Sequence, residues 1–456
     1  MREGSLDAPT RHPIDWQNPD FYDEAKLDAE LRRVFDICHG CRRCFNLCDS
    51  FPRLFDLIDE GESGELESVS SEDFKPVVDA CTLCDMCFLT KCPYVPPHEF
   101  NLDFPHLMLR YRAVENRKGQ IPAVQNQLTE TDRNGKLGTA LPGIANWASD
   151  TKNGFTRKLM KSVAGVHAEA ELPRFAGKTL EKRASEAPPA VAEHGPAKGR
   201  RAVIYATCYG NYNMPEIGQA AMAILAKQGV ETKVVYPECC GMPQMEHGDI
   251  GRVAGKAKNV AAALKPYVED GWDILALVPS CTLMLKFEWP LIVPDDADVK
   301  ALSAACYDVS EYIVMLAKQY GLAEGLKPLD GAASVHIACH SRAQNMGRKG
   351  EELMRLIPEV ELTVVERCSG HGGSWGVMQD TFDVGMKVGK PVFRQMNKEG
   401  KTKYVASECP LAALHIGQGI ERAQPDRPAE ALPETVPHPV LLLAKAYGID
   451  LGPPSS

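Results

Sequence analysis

CHGCRRCFNLC, residues 38–48, and CTLCDMCFLTKCP, residues 81–93, are two cysteine-rich runs with nearly the same spacing. A cubane iron–sulfur cluster has four iron corners, and a C-x-x-C-x-x-C loop supplies thiolates to three of them. In two-cluster ferredoxins the fourth cysteine of each run serves the other cluster. The sequence therefore predicts two [4Fe–4S] clusters. The expected ligands are Cys38, Cys41, Cys44 and Cys92 for one cluster, and Cys81, Cys84, Cys87 and Cys48 for the other.

Zinc is the alternative metal for such runs. Structural zinc usually binds two C-x-x-C pairs separated by a longer loop, whereas here three cysteines crowd each loop, which favours a cube. Two details differ from the usual ferredoxin run. Asp49 follows Cys48 where proline is common, and four residues separate Cys87 from Cys92. Neither difference removes a ligand.

The segment between the two runs has apolar residues at helical spacing, at Phe51, Leu54, Phe55 and Ile58. A loop rich in Gly, Ser and Glu follows, and there is no alternating strand pattern and no Asn-Gly hairpin. We therefore expect an α-helical ferredoxin domain over residues 1–116. This stretch resembles the iron–sulfur subunits of succinate dehydrogenase and heterodisulfide reductase, which contain a domain of that kind.

Composition limits the classes of function. The chain has 456 residues, which predicts two or three domains, and sixteen cysteines without an apolar leader favour metal or redox chemistry over disulfides. The net charge of −10 argues against nucleic acid or an anionic membrane as the main partner, although it allows local basic patches. The longest uncharged apolar stretch, residues 274–285, is too short to span a bilayer. We expect a cytoplasmic protein that could lie peripherally at the inner face of the cell membrane.

Residues 117–200 are predicted to form an interdomain segment and linker. Trp147, Phe155, Leu159, Met160 and Val163 have the spacing of one amphipathic helix, which would either pack between domains or dock on a membrane or a partner. Residues 182–200 are rich in Ala, Pro, Glu and Lys and predict a flexible linker.

Alternating strands and helices follow this segment and predict a parallel, doubly wound sheet. The strands RAVIYATC, ETKVVYPECCG and DILALVPSC end at cysteines, and the later strands ASVHIAC, VELTVVERCSG and KTKYVASEC repeat the order. Matching cysteines lie 131, 129 and 128 residues apart, which indicates an internal duplication. We expect one α/β domain at residues 201–330 and a second, degenerate one at 331–456 that ends in a loose tail before a short helix. The carboxyl ends of parallel strands meet, so each set of cysteines can converge.

Each half resembles the cysteine-rich CCG domain of heterodisulfide reductase subunits. The family motif has a cysteine, a later CCG and a later C-x-x-C. Met284 and Ala412 stand where the last cysteine of each motif would be. The first half keeps Cys208, Cys239, Cys240 and Cys281, and the second keeps Cys339, Cys368 and Cys409.

The resemblance implies that a full CCG motif holds a noncubane [4Fe–4S] cluster able to attack disulfides. The four thiols of the first half could hold a third cluster or a metal, with the thioether of Met284 as a weak donor. In the second half His371 or His340 could substitute for a missing thiol, and for His340 a structural hydrogen bond is favoured. SGHGGSWG lacks the pattern of a dinucleotide fingerprint. Cys306 fits neither repeat and is expected in the core.

The whole order resembles a family of iron–sulfur proteins that includes the C subunit of anaerobic glycerol-3-phosphate dehydrogenase, the D subunit of heterodisulfide reductase and the iron–sulfur subunit of glycolate oxidase. That resemblance implies an electron-transfer subunit working between a flavoprotein dehydrogenase, or another reductant, and a quinone or partner protein. A second hypothesis is a thiol–disulfide or peroxide-linked enzyme with catalysis at Cys208, Cys239, Cys240 and Cys281. A third is a scaffold with zinc in the CCG-like halves.

Overall fold

The computed structural model describes residues 4–5 and 7–452. The outermost positions of the first and last predicted domains, 1–3, 6 and 453–456, lie outside the described residues. From the N-terminus the chain forms a helical part, a bridging segment of helices over residues 118–200, and two successive α/β halves.

The N-terminal part packs four helices around phenylalanines. Its helices are α1 (Glu24–Cys41), α2 (Ser50–Asp59), α3 (Lys75–Asp79) and α4 (Phe104–Arg117). The carboxylate of Asp23 caps α1 by accepting a hydrogen bond from the Lys26 N–H. The rings of Phe51 and Phe104 lie 4.7 Å apart, and both are buried. The helix expected from the apolar spacing of residues 51–58 is α2, and its apolar stripe is what packs it into this core.

The bridging segment contains five helices. They are α5 (Ala123–Leu128), α6 (Thr131–Ala140), α7 (Pro142–Ser149), α8 (Gly154–Ala164) and α9 (Leu180–Glu186). The single amphipathic helix predicted over residues 147–163 is wrong, because a turn separates α7 from α8. Asn153 ends that turn, and its side chain caps α8 by accepting from the Thr156 N–H at 3.3 Å.

The flexible linker predicted over residues 182–200 is also a packed structure. It contains part of α9, and beyond that helix its backbone is tied to the first α/β half. The Ala192 N–H donates to the Ala226 carbonyl at 2.8 Å, and the Ala197 N–H donates to the Gln228 carbonyl at 2.7 Å. Composition does not reveal such hydrogen bonds, since the partners lie about thirty residues away.

The first α/β half is a four-stranded parallel sheet. Its strands β1 (Arg201–Tyr205), β2 (Glu231–Val235), β3 (Asp273–Ala276) and β4 (Cys306–Asp308) have the order β2-β1-β3-β4. Its helices are α10 (Cys208–Tyr212), α11 (Pro215–Lys227), α12 (Met242–Glu246), α13 (Ile250–Glu269), α14 (Pro279–Leu283), α15 (Trp289–Ile292), α16 (Ala297–Ala305) and α17 (Val309–Tyr320). Tyr205, the last residue of β1, pairs with Val235 and Ala276, so three strands end side by side.

The second half repeats this sheet. Strands β5 (Ala333–His336), β6 (Leu362–Val365), β7 (Tyr404–Ser407) and β8 (Glu434–Val436) are parallel in the order β6-β5-β7-β8. The helices are α18 (Cys339–Ala343), α19 (Lys349–Met354), α20 (Phe382–Met396), α21 (Pro410–Arg422) and α22 (Pro439–Ala446). The two sheets confirm the predicted tandem parallel α/β organisation.

The fourth strand of each sheet was missed by the sequence analysis. Cys306 is indeed buried, but it begins β4, and Glu434 begins β8 at the matching place 128 residues later. The stretch predicted to be a loose tail therefore adds an edge strand to the second sheet. The short helix expected at the C-terminus is α22, and the neighbouring Tyr447 hydroxyl lies 3.2 Å from the Gln228 side chain of the first half.

Candidate functional site

The first group of thiols lies where α1 ends. Cys38 and Cys41 are on the last turn of α1, and Arg42 then adopts a left-handed conformation (φ 52°) that turns the chain toward Cys44. Burial raises the pKa of Cys38, and the neighbouring thiols of Cys92, Cys44 and Cys41 raise it further. The last cysteine of the second run thus lies among the first three cysteines of the first run.

The second group shows the reciprocal arrangement. Burial raises the pKa of Cys48, and the next largest causes are the thiols of Cys84 and Cys81. Burial also raises the pKa of Cys87, followed by the effects of Cys84, Cys81, Cys44 and Cys48. Cys48 therefore lies with the second run, and Cys44 and Cys87 connect the two groups. The last cysteine of each run therefore lies among the cysteines of the other run.

The loop around Cys84 is held in an unusual backbone conformation. Leu83 and Asp85, on either side of it, have positive φ angles of 49° and 62°, which side-chain-bearing residues rarely adopt. The Asp85 carboxylate is fixed by Arg11 at 2.8 Å, and the Arg112 guanidinium donates to the Cys81 carbonyl. Strain of this kind persists only where surrounding contacts hold it, and it is common at functional sites.

The donor sets of these two groups consist of sulfur alone, which suits an iron–sulfur cluster. Burial raises the pKa of most of these thiols, and cationic iron would offset that cost by binding the thiolates. Among the residues that the structure describes, no three or more His, Cys, Asp or Glu side chains are arranged to share a single metal ion. The fit to a cluster therefore rests on the all-sulfur donor sets and on which thiols lie together, and not on a formed coordination shell.

The third group lies at the carboxyl ends of β1, β2 and β3. The Sγ atoms of Cys208 and Cys239 are 3.8 Å apart, and those of Cys240 and Cys281 are 3.2 Å apart. Burial raises the pKa of Tyr205, and all four thiols add to that rise, so its ring lies beside them. The four thiols thus converge, as the topology of a parallel sheet predicts.

Residues outside the CCG-like pattern complete this third group. The Asp132 carboxylate, at the start of α6, accepts from the Cys239 N–H at 3.1 Å and pairs with Lys256 at 3.1 Å. The Trp289 indole donates to the Cys240 carbonyl at 3.1 Å. Met284, in place of the last cysteine of the motif, is fully buried. Sequence reasoning missed Asp132, because no motif surrounds it and it was placed in a linker.

The fourth group belongs to the second half and adjoins two of the others. Burial raises the pKa of Cys339, and the thiols of Cys84, Cys368 and Cys409 raise it further. Burial raises the pKa of Cys409 to about 11, and Cys281 is among the further causes. This group therefore lies between Cys84 of the N-terminal part and Cys281 of the first half.

Two histidines near the fourth group behave differently. His340 makes structural hydrogen bonds, with Nδ1 2.8 Å from Ser280 Oγ and Nε2 3.3 Å from the Leu83 carbonyl. His371 is half-buried as a residue, and the desolvation of its ring lowers its pKa to about 3. Within the described part of the chain, its Nε2 atom has no hydrogen-bond partner. His371 thus keeps a free nitrogen, whereas His340 joins three parts of the fold.

Comparison with known proteins agrees with this duplicated architecture. Residues 202–286 and 333–417 each match the cysteine-rich domain family CCG, which confirms the resemblance inferred from the motifs. Over 330 residues the chain is 25% identical to the C subunit of anaerobic glycerol-3-phosphate dehydrogenase from Escherichia coli, covering 71% of this chain and 78% of the relative.

Two further relatives match about half of the chain. The B subunit of fumarate reductase (CoM/CoB) from Methanothermobacter marburgensis is 25% identical over 237 residues, which are 50% of this chain and 44% of the relative. Lactate utilization protein A of Bacillus pumilus is 25% identical over 240 residues, 50% of this chain and 94% of the relative.

Proposed function

Since the chain contains two cysteine-rich CCG domains and is similar to the C subunit of anaerobic glycerol-3-phosphate dehydrogenase and to the B subunit of a fumarate reductase (CoM/CoB), we propose that it is an iron–sulfur electron-transfer subunit. It relays electrons between a flavoprotein dehydrogenase, or another reductant, and a quinone or partner protein. In this proposal residues 1–116 form the ferredoxin domain, 117–200 the interdomain segment, and 201–330 and 331–456 the two CCG-like domains.

The observation that carries the proposal is the continuous series of thiol groups. Cys44 and Cys87 connect the first two groups, Cys84 adjoins Cys339 and Cys368, and Cys409 adjoins Cys281. Clusters bound at these thiolates would supply one-electron carriers. A scaffold that used metals only as structural pins would not require the groups to adjoin one another.

The protein's own residues hold and tune these sites. In the proposal Cys38, Cys41, Cys44 and Cys92 hold one [4Fe–4S] cluster, and Cys81, Cys84, Cys87 and Cys48 hold the other. Cys208, Cys239, Cys240 and Cys281 would hold a third cluster or a metal. Arg112 donates to the Val78 and Cys81 carbonyls and to the Glu246 carbonyl, so it ties the second run to the first half. Hydrogen bonding and burial of this kind set the reduction potential of a cluster.

The fourth group supports the same proposal through its position. Cys339, Cys368 and Cys409, with the free nitrogen of His371 as a candidate fourth donor, would hold a metal or cluster between the second cubane and the third site. Imidazole is an accepted ligand in iron–sulfur centres.

A second candidate function is thiol–disulfide chemistry at the first half. The observation that favours it is the contact of two thiol pairs, at 3.8 Å and 3.2 Å between sulfurs. Turnover of a disulfide or persulfide by the isolated chain would support this function over the relay.

The relay is tested by measuring iron, sulfide and zinc in anaerobically purified protein, with EPR of the reduced form. We expect about eight irons per chain from two cubanes, with magnetically interacting signals, and about twelve where the first half is also occupied. Fewer than about four irons per chain under strict anaerobiosis would overturn the proposal.

A further inference from the structure

The bridging segment presents an unusual number of large hydrophobic side chains to solvent. Twelve such residues are exposed in the described part of the chain, and seven of them lie between residues 137 and 163, with exposures of 55–79%. We call these seven the apolar face: Leu137, Leu141, Ile144, Trp147, Phe155, Leu159 and Val163. Clustered exposed apolar side chains of this kind mark interaction surfaces.

The apolar face follows the helical repeat. Phe155, Leu159 and Val163 are spaced by four residues along α8, so they form one stripe, and Ile144 and Trp147 share a face of α7. Met160, which the sequence analysis grouped with this stripe, is only partly exposed, and its sulfur lies 3.4 Å from the buried Arg157. The stripe is therefore narrower than expected and lies opposite the anchored side of α8.

The inner sides of these helices are firmly held. Arg157 is buried and donates to the His167, Ala168 and Ala170 carbonyls. On α6, a Cβ at Gly135 would lie 2.2 Å from the Tyr212 ring, and one at Gly138 would lie 2.4 Å from the Phe175 ring. These close approaches require glycine. The apolar face is thus displayed by ordered helices.

The charge of the same segment differs from that of the rest of the chain. From residue 133 to residue 163 the exposed charged residues are all cations: Arg133, Lys136, Lys152, Lys158 and Lys161. Asp150, the one acidic residue of this stretch, is half-buried, whereas the chain as a whole has a net charge of −10. On α8 Lys158 and Lys161 lie along one edge of the apolar stripe, so charged and apolar faces adjoin as in helices that lie in the plane of a membrane surface.

We propose that α6, α7 and α8 form a docking surface for an anionic lipid membrane. The apolar face enters the boundary between headgroups and acyl chains, and the neighbouring lysines contact anionic headgroups. A bilayer fits this combination of an apolar stripe and neighbouring lysines because its surface offers both an apolar layer and anionic headgroups. The described residues contain no helix that is long and apolar enough to cross a membrane. The local basic patch also explains how a chain with negative net charge can bind such a surface.

The docking surface is linked to the third thiol group through one helix. Asp132 at the start of α6 bonds the Cys239 N–H, while Leu137 and Leu141 at its end belong to the apolar face. Ten residues of helix span about 15 Å. Membrane docking would therefore bring the third group close to an electron acceptor dissolved in the bilayer, and this last step rests on the proposed function.

The test is sedimentation of the purified full-length protein with lipid vesicles. Vesicles of phosphatidylcholine alone are compared with vesicles that also contain phosphatidylglycerol, at low and high salt. We expect binding to the anionic vesicles that weakens as salt increases. Phe155→Ser/Leu159→Ser should weaken it about tenfold or more, and Lys158→Ala/Lys161→Ala should remove its dependence on anionic lipid. Val191→Ser, at an exposed position outside the face, is the control.

Folding and cluster content are followed in the same samples by circular dichroism and iron analysis. Variants that keep the wild-type circular dichroism and iron content while losing vesicle binding would support the docking surface. They would do so even if the protein proved not to relay electrons. Equal vesicle binding by wild type and Phe155→Ser/Leu159→Ser would overturn it. So would a wild-type dimer that this variant abolishes, because the face would then belong to a second copy of the chain.

Discussion

The carboxylate of Asp132 accepts a hydrogen bond from the Cys239 N–H at 3.1 Å, although the two residues belong to different parts of the fold. The same carboxylate pairs with the buried Lys256. Replacement of Asp132 would leave that N–H unsatisfied and would leave the cation with Glu238 alone. The bridging segment is thus part of the first-half site.

Asp132→Ala should lower the free energy of unfolding by about 1–3 kcal/mol, because a buried donor loses its partner. Asp132→Asn should cost less, since the amide oxygen can still accept from Cys239. Urea unfolding measures both, and Glu186→Ala on α9 is the control, because its carboxylate is exposed. A midpoint for Asp132→Ala equal to that of this control would contradict the prediction.

The last cysteine of each run lies with the other run. Replacing it should therefore remove the cluster whose other three ligands belong to that other run. Cys92→Ser should remove about four irons and leave the EPR signal of the cluster on the second run, and Cys48→Ser should do the reverse. Magnetic interaction between clusters should disappear in both variants. Cys306→Ser changes a thiol in β4 and should keep the wild-type iron content. Loss of the same signal in both variants would exclude crossed ligation.

The sequence predicted local features well and long-range contacts poorly. The strands that end at cysteines have long apolar runs, so the duplicated α/β order could be recognised. The edge strands at Cys306 and Glu434 are three residues long and have no clear period, so they were missed. The contact of His340 with the Leu83 carbonyl joins residues 257 positions apart, and packing of separate parts determines it. No local pattern encodes such a contact.

Arg11 holds three carboxylates from two parts of the fold. Its guanidinium lies 2.8 Å from Asp85, 2.7 Å from Asp103 and 3.0 Å from Glu288. Arg11→Ala would leave the buried Asp85 carboxylate without its cation and would leave Asp103 and Glu288 with His106 alone. It should destabilise the protein by about 3–5 kcal/mol in denaturant unfolding. Arg11→Lys should recover little, because an ammonium cannot reproduce the planar fork.

The control for Arg11 is Arg355→Ala, which removes an exposed arginine at the end of α19 from its pair with Glu351. Such surface pairs contribute at most about 1 kcal/mol. Similar losses of stability for Arg11→Ala and Arg355→Ala would mean that the ion pairs of Arg11 do not hold the N-terminal part to the first α/β half.

His438 gives the fold a pH dependence away from the thiols. It precedes α22, and its Nδ1 atom accepts from the Val440 N–H at 3.1 Å. Burial lowers its pKa to about 3. In the unfolded chain the imidazole binds a proton at about pH 6.5, so between these values the unfolded state holds more protons than the native state. This contribution to stability is complete above the unfolded pKa and decreases as pH falls toward the folded one.

We therefore expect His438 to lower the free energy of unfolding as pH is lowered from 6 to 5. The decrease is as much as about 1.4 kcal/mol per pH unit, because one imidazole takes up one proton on unfolding. His438→Asn keeps an acceptor that can cap α22 but cannot titrate, so its pH dependence should be shallower than that of the wild type. Urea unfolding at several pH values measures the difference between the two slopes. Parallel slopes for the wild type and His438→Asn would show that the fold does not keep the His438 imidazole neutral. They would mean that the imidazole becomes exposed to water before α22 unfolds.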